Sequence, residues 1–232
     1  MKTSNNIVDT NQIITLYHGS KSGIKGNIAP VSRSRCDFGQ GFYMSTDHTQ
    51  LLTLICNYEN AKIYTLNVNL SGLKILNIEI GLDWALLVAY NRGKMDFIKG
   101  STIYNHFKTI TDGCDMVIGY IANDRMFTVL DRFFRGDITD VSLINSLSAL
   151  KLGKQYVAIS EKACSQIKIV KETMLTFEDR ETLKAESEKN RKLGIALADD
   201  ICKKYRREGR YFDEILKAGE EYDVRPFSIS TL

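Results

Sequence analysis

The chain has 232 residues, 44% hydrophobic and 25% charged, with a formal charge of +3. That is ordinary globular composition, enough for one good core and a smaller appendage, and its slight positive balance permits an anionic ligand without announcing nucleic acid. No apolar run is long enough to span a membrane, and the polar start "MKTSNNIVDTNQ" lacks the apolar stretch of a secretory signal, so a cytoplasmic location without membrane contact is expected.

In chain order, "ITLYHG" reads as a short β run ending at Gly19, and "DFGQGFYMS" as a glycine-punctuated turn running into a second strand. Asp47 can cap a helix, with Gln50 three residues on as in a capping box, and Leu51, Leu54, Ile55 and Tyr58 recur at helical spacing. "IYTLNVNL" alternates, with Tyr64, Leu66, Val68 and Leu70 pointing one way. "GLDWALLVAYNRG" is helical, with Trp84, Leu87 and Val88 as its buried stripe and Gly93 as a C-terminal cap. "CDMVIGYIAND" reads as a strand breaking at Gly119. "DRMFTVLDRFF" and "TDVSLINSLSALK" read as helices, the second capped by Thr139 or Asp140 and facing inward through Leu143, Ile144, Leu147 and Leu150.

"QYVAIS" is a strand, "EKACSQ" a helical turn and "IKIVKE" a last strand. From 176 onward the sequence turns highly charged with mixed signs, and Leu193, Leu197, Ile201 and Tyr205 form a narrow apolar seam on one or two helices. Residues 1–175 are thus expected to form the main domain and 176–232 a charged helical extension. The mixture lacks strict βαβ alternation, so an α+β fold is expected. Gly39 and Gly41 lack the third glycine and following helix of a dinucleotide fingerprint. The five scattered cysteines form no C-x-x-C pair and read as reduced thiols. The three histidines form no H-E-x-x-H, so no metal is expected.

The ordered set "YHGS", "FGQGFYMST" and "KQYVAIS" resembles the three motifs of ADP-ribosyltransferases of the His-Tyr-Glu, diphtheria-toxin-like and poly(ADP-ribose)-polymerase-like clan, and is similar to an uncharacterised bacterial domain family of that clan. The likeness covers roughly residues 14–172. It implies a split pair of small antiparallel sheets with NAD as co-substrate in the cleft between them. By resemblance, His18 would bond the adenosine ribose, Gly19 the nicotinamide carboxamide with Ser20 beside it, and Tyr43 would stack on the nicotinamide. Asp37, Phe38 and Gly41 belong to the same cofactor-binding loop. Gln155 stands where the family's catalytic Glu would stand, and Asn123 and Asp124 are placed near the reacting sugar or the acceptor. Small bacterial transferases of this look are often toxins checked by a neighbouring antitoxin, which makes an antitoxin an expected partner beside a macromolecular acceptor.

These residue types suit the chemistry. Breaking the glycosidic bond of NAD develops positive charge on the ribose, which negative potential stabilises. An aromatic wall gives stacking area at small entropy cost, and a His can donate to one ribose oxygen and accept from another. A Gln accepts a hydrogen bond but brings no charge, which favours transfer of a single ADP-ribose over chain growth, and Gln155→Glu is expected to raise turnover. Asp124 and Glu161 are the carboxylates that could compensate. Plainer readings stand beside these: His18 as a strand-end histidine, Asp37 as an Asx turn, Asp124 as a helix cap, Gln155 as a solvated strand opener, and "KKYRREGR" as a solvated helix face. NAD hydrolysis and a non-catalytic NAD-binding module are the rival functions.

Overall fold

Alternation and turn chemistry lay out the strands. The structure, a computed structural model, describes residues 12–121, 124–149, 153–218 and 229–231. Strand β1 (Ile13–Ser20) is followed by a long loop and by β2 (Phe42–Ser45), then helix α1 (His48–Ile55) and β3 (Lys62–Asn69). Next come β4 (Lys74–Asn77), α2 (Leu82–Asn91), a 3₁₀ turn (Asp96–Ile98), α3 (Thr102–Thr109) and β5 (Met116–Tyr120). Helices α4 (Asp124–Phe134) and α5 (Asp140–Ala149) lead to β6 (Lys154–Ala158), α6 (Glu161–Ser165) and β7 (Ile167–Met174). The chain closes with α7 (Phe177–Tyr205), α8 (Phe212–Lys217) and β8 (Ile229–Thr231).

The fold is α+β, built on an open eight-stranded sheet in the order β7-β3-β1-β2-β6-β5-β4-β8. Among the described strands only β4 and β5 run parallel. The expected pair of separate sheets is one continuous sheet with a weak seam. β1 and β3 share eight register pairs, from Ile13↔Asn69 to Ser20↔Lys62, whereas β1 and β2 share one, Tyr17↔Ser45. On the far side of that seam β2 pairs with β6 over four residues.

The strand faces sort the core. Leu16, Phe42, Met44, Tyr64, Leu66 and Val68 lie in one buried cluster, as alternation on β3 required. Val117 and Val157, which face the other way, join Trp84, Leu86 and Val88 of α2 and Phe133 of α4. Ala198 and Cys202 of α7 and Phe212, Ile215 and Leu216 of α8 are buried in this second cluster too. A small third cluster seats Ile55 of α1 against Ile63 and Leu183.

Several expectations are corrected. The inward stripe of α7 is Leu183, Gly194, Ala198 and Cys202, one residue on from the expected seam; Leu193 and Leu197 are exposed. Small residues face inward because α7 lies close against α4 and α5. Leu54 of α1 and Tyr58 beyond its end are exposed, and the helix's buried face is Gln50 and Ile55. Asp47 caps α1 by accepting from the Gln50 N–H at 2.9 Å, but the Gln50 side-chain oxygen is buried without a partner, so the capping box is half made. Gly119 continues β5 instead of breaking it, because the ring of Phe38 fills the space a side chain would take. β8 follows β7 and pairs with β4, so β7 is not the last strand. Thr139 accepts from the Ser142 N–H and caps α5. Asn123 and Leu150 lie outside the described residues.

Candidate functional site

β1 alternates, so Leu16 and His18 face one side and Tyr17 and Gly19 the other. The His18 ring stacks on Phe42 with centroids 4.3 Å apart. Its Nδ1 lies 2.7 Å from the Tyr43 carbonyl oxygen, across the seam. A carbonyl only accepts, so Nδ1 carries the proton and Nε2 is left as an acceptor. Burial lowers the pKa of this imidazole, and the hydrogen bond to Tyr43 opposes that shift without cancelling it. His18 is therefore a neutral group that spends its donor on the protein and can only accept from a ligand.

The second motif is a tight turn locked by its own aromatic. Tyr43 donates its hydroxyl to the Gly39 carbonyl at 2.8 Å and accepts from the Phe38 N–H at 3.0 Å. Burial pushes the phenol far above its ordinary range. Gly39 sits at φ +75°, a conformation L side chains avoid. A β-carbon at Gly41 would lie 2.5 Å from a Val157 methyl, so this glycine is required by packing of the turn on β6. Phe38 is buried against Gly119, and Phe42 is in the core as expected.

Gln155, on β6, is 5% exposed; the solvated reading fails. Its amide nitrogen donates to the Tyr120 carbonyl at 3.0 Å and reaches Asp37 Oδ2 at 3.5 Å. Asp37 is itself buried and gripped by Arg92, whose Nε donates to Oδ1 at 2.8 Å and whose Nη2 pairs with the same oxygen. Asn91 donates to the Asp37 carbonyl at 3.1 Å. Asp37, Phe38, Tyr43 and Gln155 are thus gathered on one side of β2. The His18 ring lies against Phe42 on the other, so its tie to the cluster is the Tyr43 carbonyl. Gly19 and Ser20 continue β1 beside β3, and a β-carbon at Gly19 would touch Ile55 at 3.2 Å. Asp124 is the first residue of α4. Glu161 opens α6 beyond the opposite end of β6 from Gln155.

Sequence reasoning missed Arg92 and Asn91, which read as the ordinary polar end of α2. It also missed Glu79, which accepts from Lys154 at 2.7 Å and from the Tyr120 hydroxyl at 3.1 Å. Lys154 is the main cause of that carboxyl's lowered pKa. A cavity of 210 Å³ lies elsewhere, lined by Arg132, Thr139, Asp199, Cys202, Arg206 and Tyr211, and no motif residue borders it. Among the described residues no group of His, Cys, Asp and Glu is arranged to hold a metal ion, and no helix is long and apolar enough to cross a membrane.

The strands and turns that build this cluster, from β1 to β7, coincide with a family match: the model described as "Protein of unknown function (DUF3990)" matches residues 14–169. The chain belongs to the DUF3990 family. No curated protein matches it. Among solved structures it is similar to the crystal structure of the M. tuberculosis MbcT-MbcA toxin-antitoxin complex. The identity is 9%, with 76% of this chain and 91% of that chain covered at a TM-score of 0.39, a likeness that carries no argument about function.

Proposed function

We propose that this DUF3990 protein is an NAD-dependent mono-ADP-ribosyltransferase acting on a macromolecular acceptor. The observation that carries the reading is the sheet order: the three motif segments, far apart in sequence, lie on the neighbouring strands β1, β2 and β6, and β1 and β2 part after a single pair. A ligand entering at that parting would meet His18, whose Nε2 suits a ribose hydroxyl.

The residues fit NAD in part. His18 and the Gly19 backbone would hold it, while the Tyr43 hydroxyl and the Gln155 amide nitrogen are committed to the protein. NAD supplies the activated glycosidic bond. That C–N bond breaks, nicotinamide leaves with the electron pair, and an acceptor oxygen or nitrogen bonds to the ribose carbon as it loses its proton. Gln155 reaches the carboxylate of Asp37, whose negative potential is offset by Arg92. Such a site would stabilise a ribosyl cation less than a free carboxylate does, which fits single transfer. The toxin role, with an antitoxin as partner, belongs to this proposal and rests on the motif resemblance alone.

The test is incubation with NAD labelled in its ADP-ribose half, with cell lysate present. Label on a macromolecule is the expected result. Free ADP-ribose would make the protein a hydrolase, and intact NAD with measurable binding would make it a binding module, the reading that the inward-turned Gln155 favours. His18→Ala should weaken NAD binding about tenfold by calorimetry, the worth of one hydrogen bond.

A further inference from the structure

The chain's small net charge hides a local concentration. Residues 21–36 carry Lys21, Lys25, Arg33 and Arg35 and no carboxylate. This segment runs from the end of β1 to Asp37 and so joins the first two motifs. Arg33 and Arg35 are exposed. Arg35 leans across Gly93, where a β-carbon would meet its guanidinium at 3.2 Å, and its Nη2 lies 3.8 Å from Asp96. Lys99 approaches the same carboxylate at 3.7 Å. Two cations, Arg35 and Lys99, therefore share one anion, and Arg33 stands exposed two residues from Arg35.

Amid these charges stands Phe97, 73% exposed in the 3₁₀ turn that holds Asp96. A single exposed aromatic is unremarkable by itself. Set on the turn that joins Asp96 to Lys99, it is a different object: a stacking face beside phosphate-binding groups, the combination that holds single-stranded nucleic acid. An acidic peptide would use the cations but has no need of the ring. The ridge is continuous with the candidate site, since Arg92, which grips Asp37, adjoins the Gly93 that Arg35 covers.

We propose that this ridge binds single-stranded nucleic acid, with phosphates on Arg33, Arg35 and Lys99 and a base stacked on Phe97, and that this strand is the acceptor of the ADP-ribose. The acceptor half rests on the activity proposed above; the binding half does not need it.

Fluorescence anisotropy with labelled single-stranded RNA and DNA of roughly 12 nucleotides tests the binding half without NAD. The expected result is an affinity that falls as salt rises, and that drops about tenfold in Phe97→Ala and again about tenfold in the double variant Arg33→Glu/Arg35→Glu. Lys168→Glu, on the distant edge strand β7, should bind as the parent does. Equal binding by Phe97→Ala and the double variant overturns the proposal, as does displacement of the strand by an equal charge of polyglutamate. Adding NAD then separates the two claims. Label on the bound strand supports both halves. Label on protein with no strand binding overturns the ridge and leaves the activity, whereas strand binding with intact NAD upholds the ridge and removes the activity.

Discussion

His18 is held neutral, and that has a thermodynamic consequence. Burial places its folded pKa below the ordinary value of about 6.5. Between the two values the unfolded chain binds the proton and the folded one does not, so stability rises with pH there. The contribution is intact above about pH 6.5 and is lost as pH falls toward the folded pKa. Thermal melting between pH 7.5 and 5 should show a steeper loss for the parent than for His18→Gln, which cannot titrate. The inward setting of Gln155 leads to a different prediction from that of the sequence alone. Its amide donates to a carbonyl and reaches a buried carboxylate, so Gln155→Glu would set two carboxylates about as far apart as the present 3.5 Å contact. The variant should lose roughly 2 kcal/mol or more in urea denaturation at pH 7, recover part of it near pH 5 as the new acid protonates, and show no gain in turnover.

At the scale of elements, turns and helices owe their shapes to close approaches that a sequence does not display. β5 runs through Gly119 because Phe38, from a loop 81 positions earlier, occupies the space above it. Gly119→Ala would put a β-carbon 2.4 Å from that ring and should cost about 1–3 kcal/mol by chemical denaturation. Adding Phe38→Leu should return part of it. The alternation of β3 and the caps at Asp47 and Thr139 were legible, because each depends on residues within a few positions. The four-residue β4 was not, since its partners β5 and β8 lie far along the chain. The α7 stripe was misread by one residue, because apolar periodicity points to leucines while a tight helix contact selects glycine and alanine. In the candidate site, His18 and Tyr43 stood out through their motif. Arg92 did not, because a cation at a helix end is commonplace until Asp37 is seen beside it. β7 is an exposed edge strand, and its Lys168, Lys171 and register shift opposite Thr65/Leu66 are features that discourage strand pairing with other chains.

For the whole molecule, the charged C-terminal region shares its core with the sheet. Phe212 is 3% exposed and packs against Phe133 and Phe134 with ring centroids 5.3 and 5.4 Å apart. Phe212→Ala should therefore lower the stability of the entire fold by about 3–5 kcal/mol, seen as a shifted but still single unfolding transition. A separate early transition confined to the C-terminal helices would refute that coupling. The junction between β1 and β2 sets how this molecule can deform. One rung and the imidazole bond beside it span that line, where a full ladder spans β1 and β3. Like the spine of a book, it is where two stiff covers can tilt at small cost, so strain from anything wedged there would fall on the His18–Tyr43 bond and leave the flanking ladders whole.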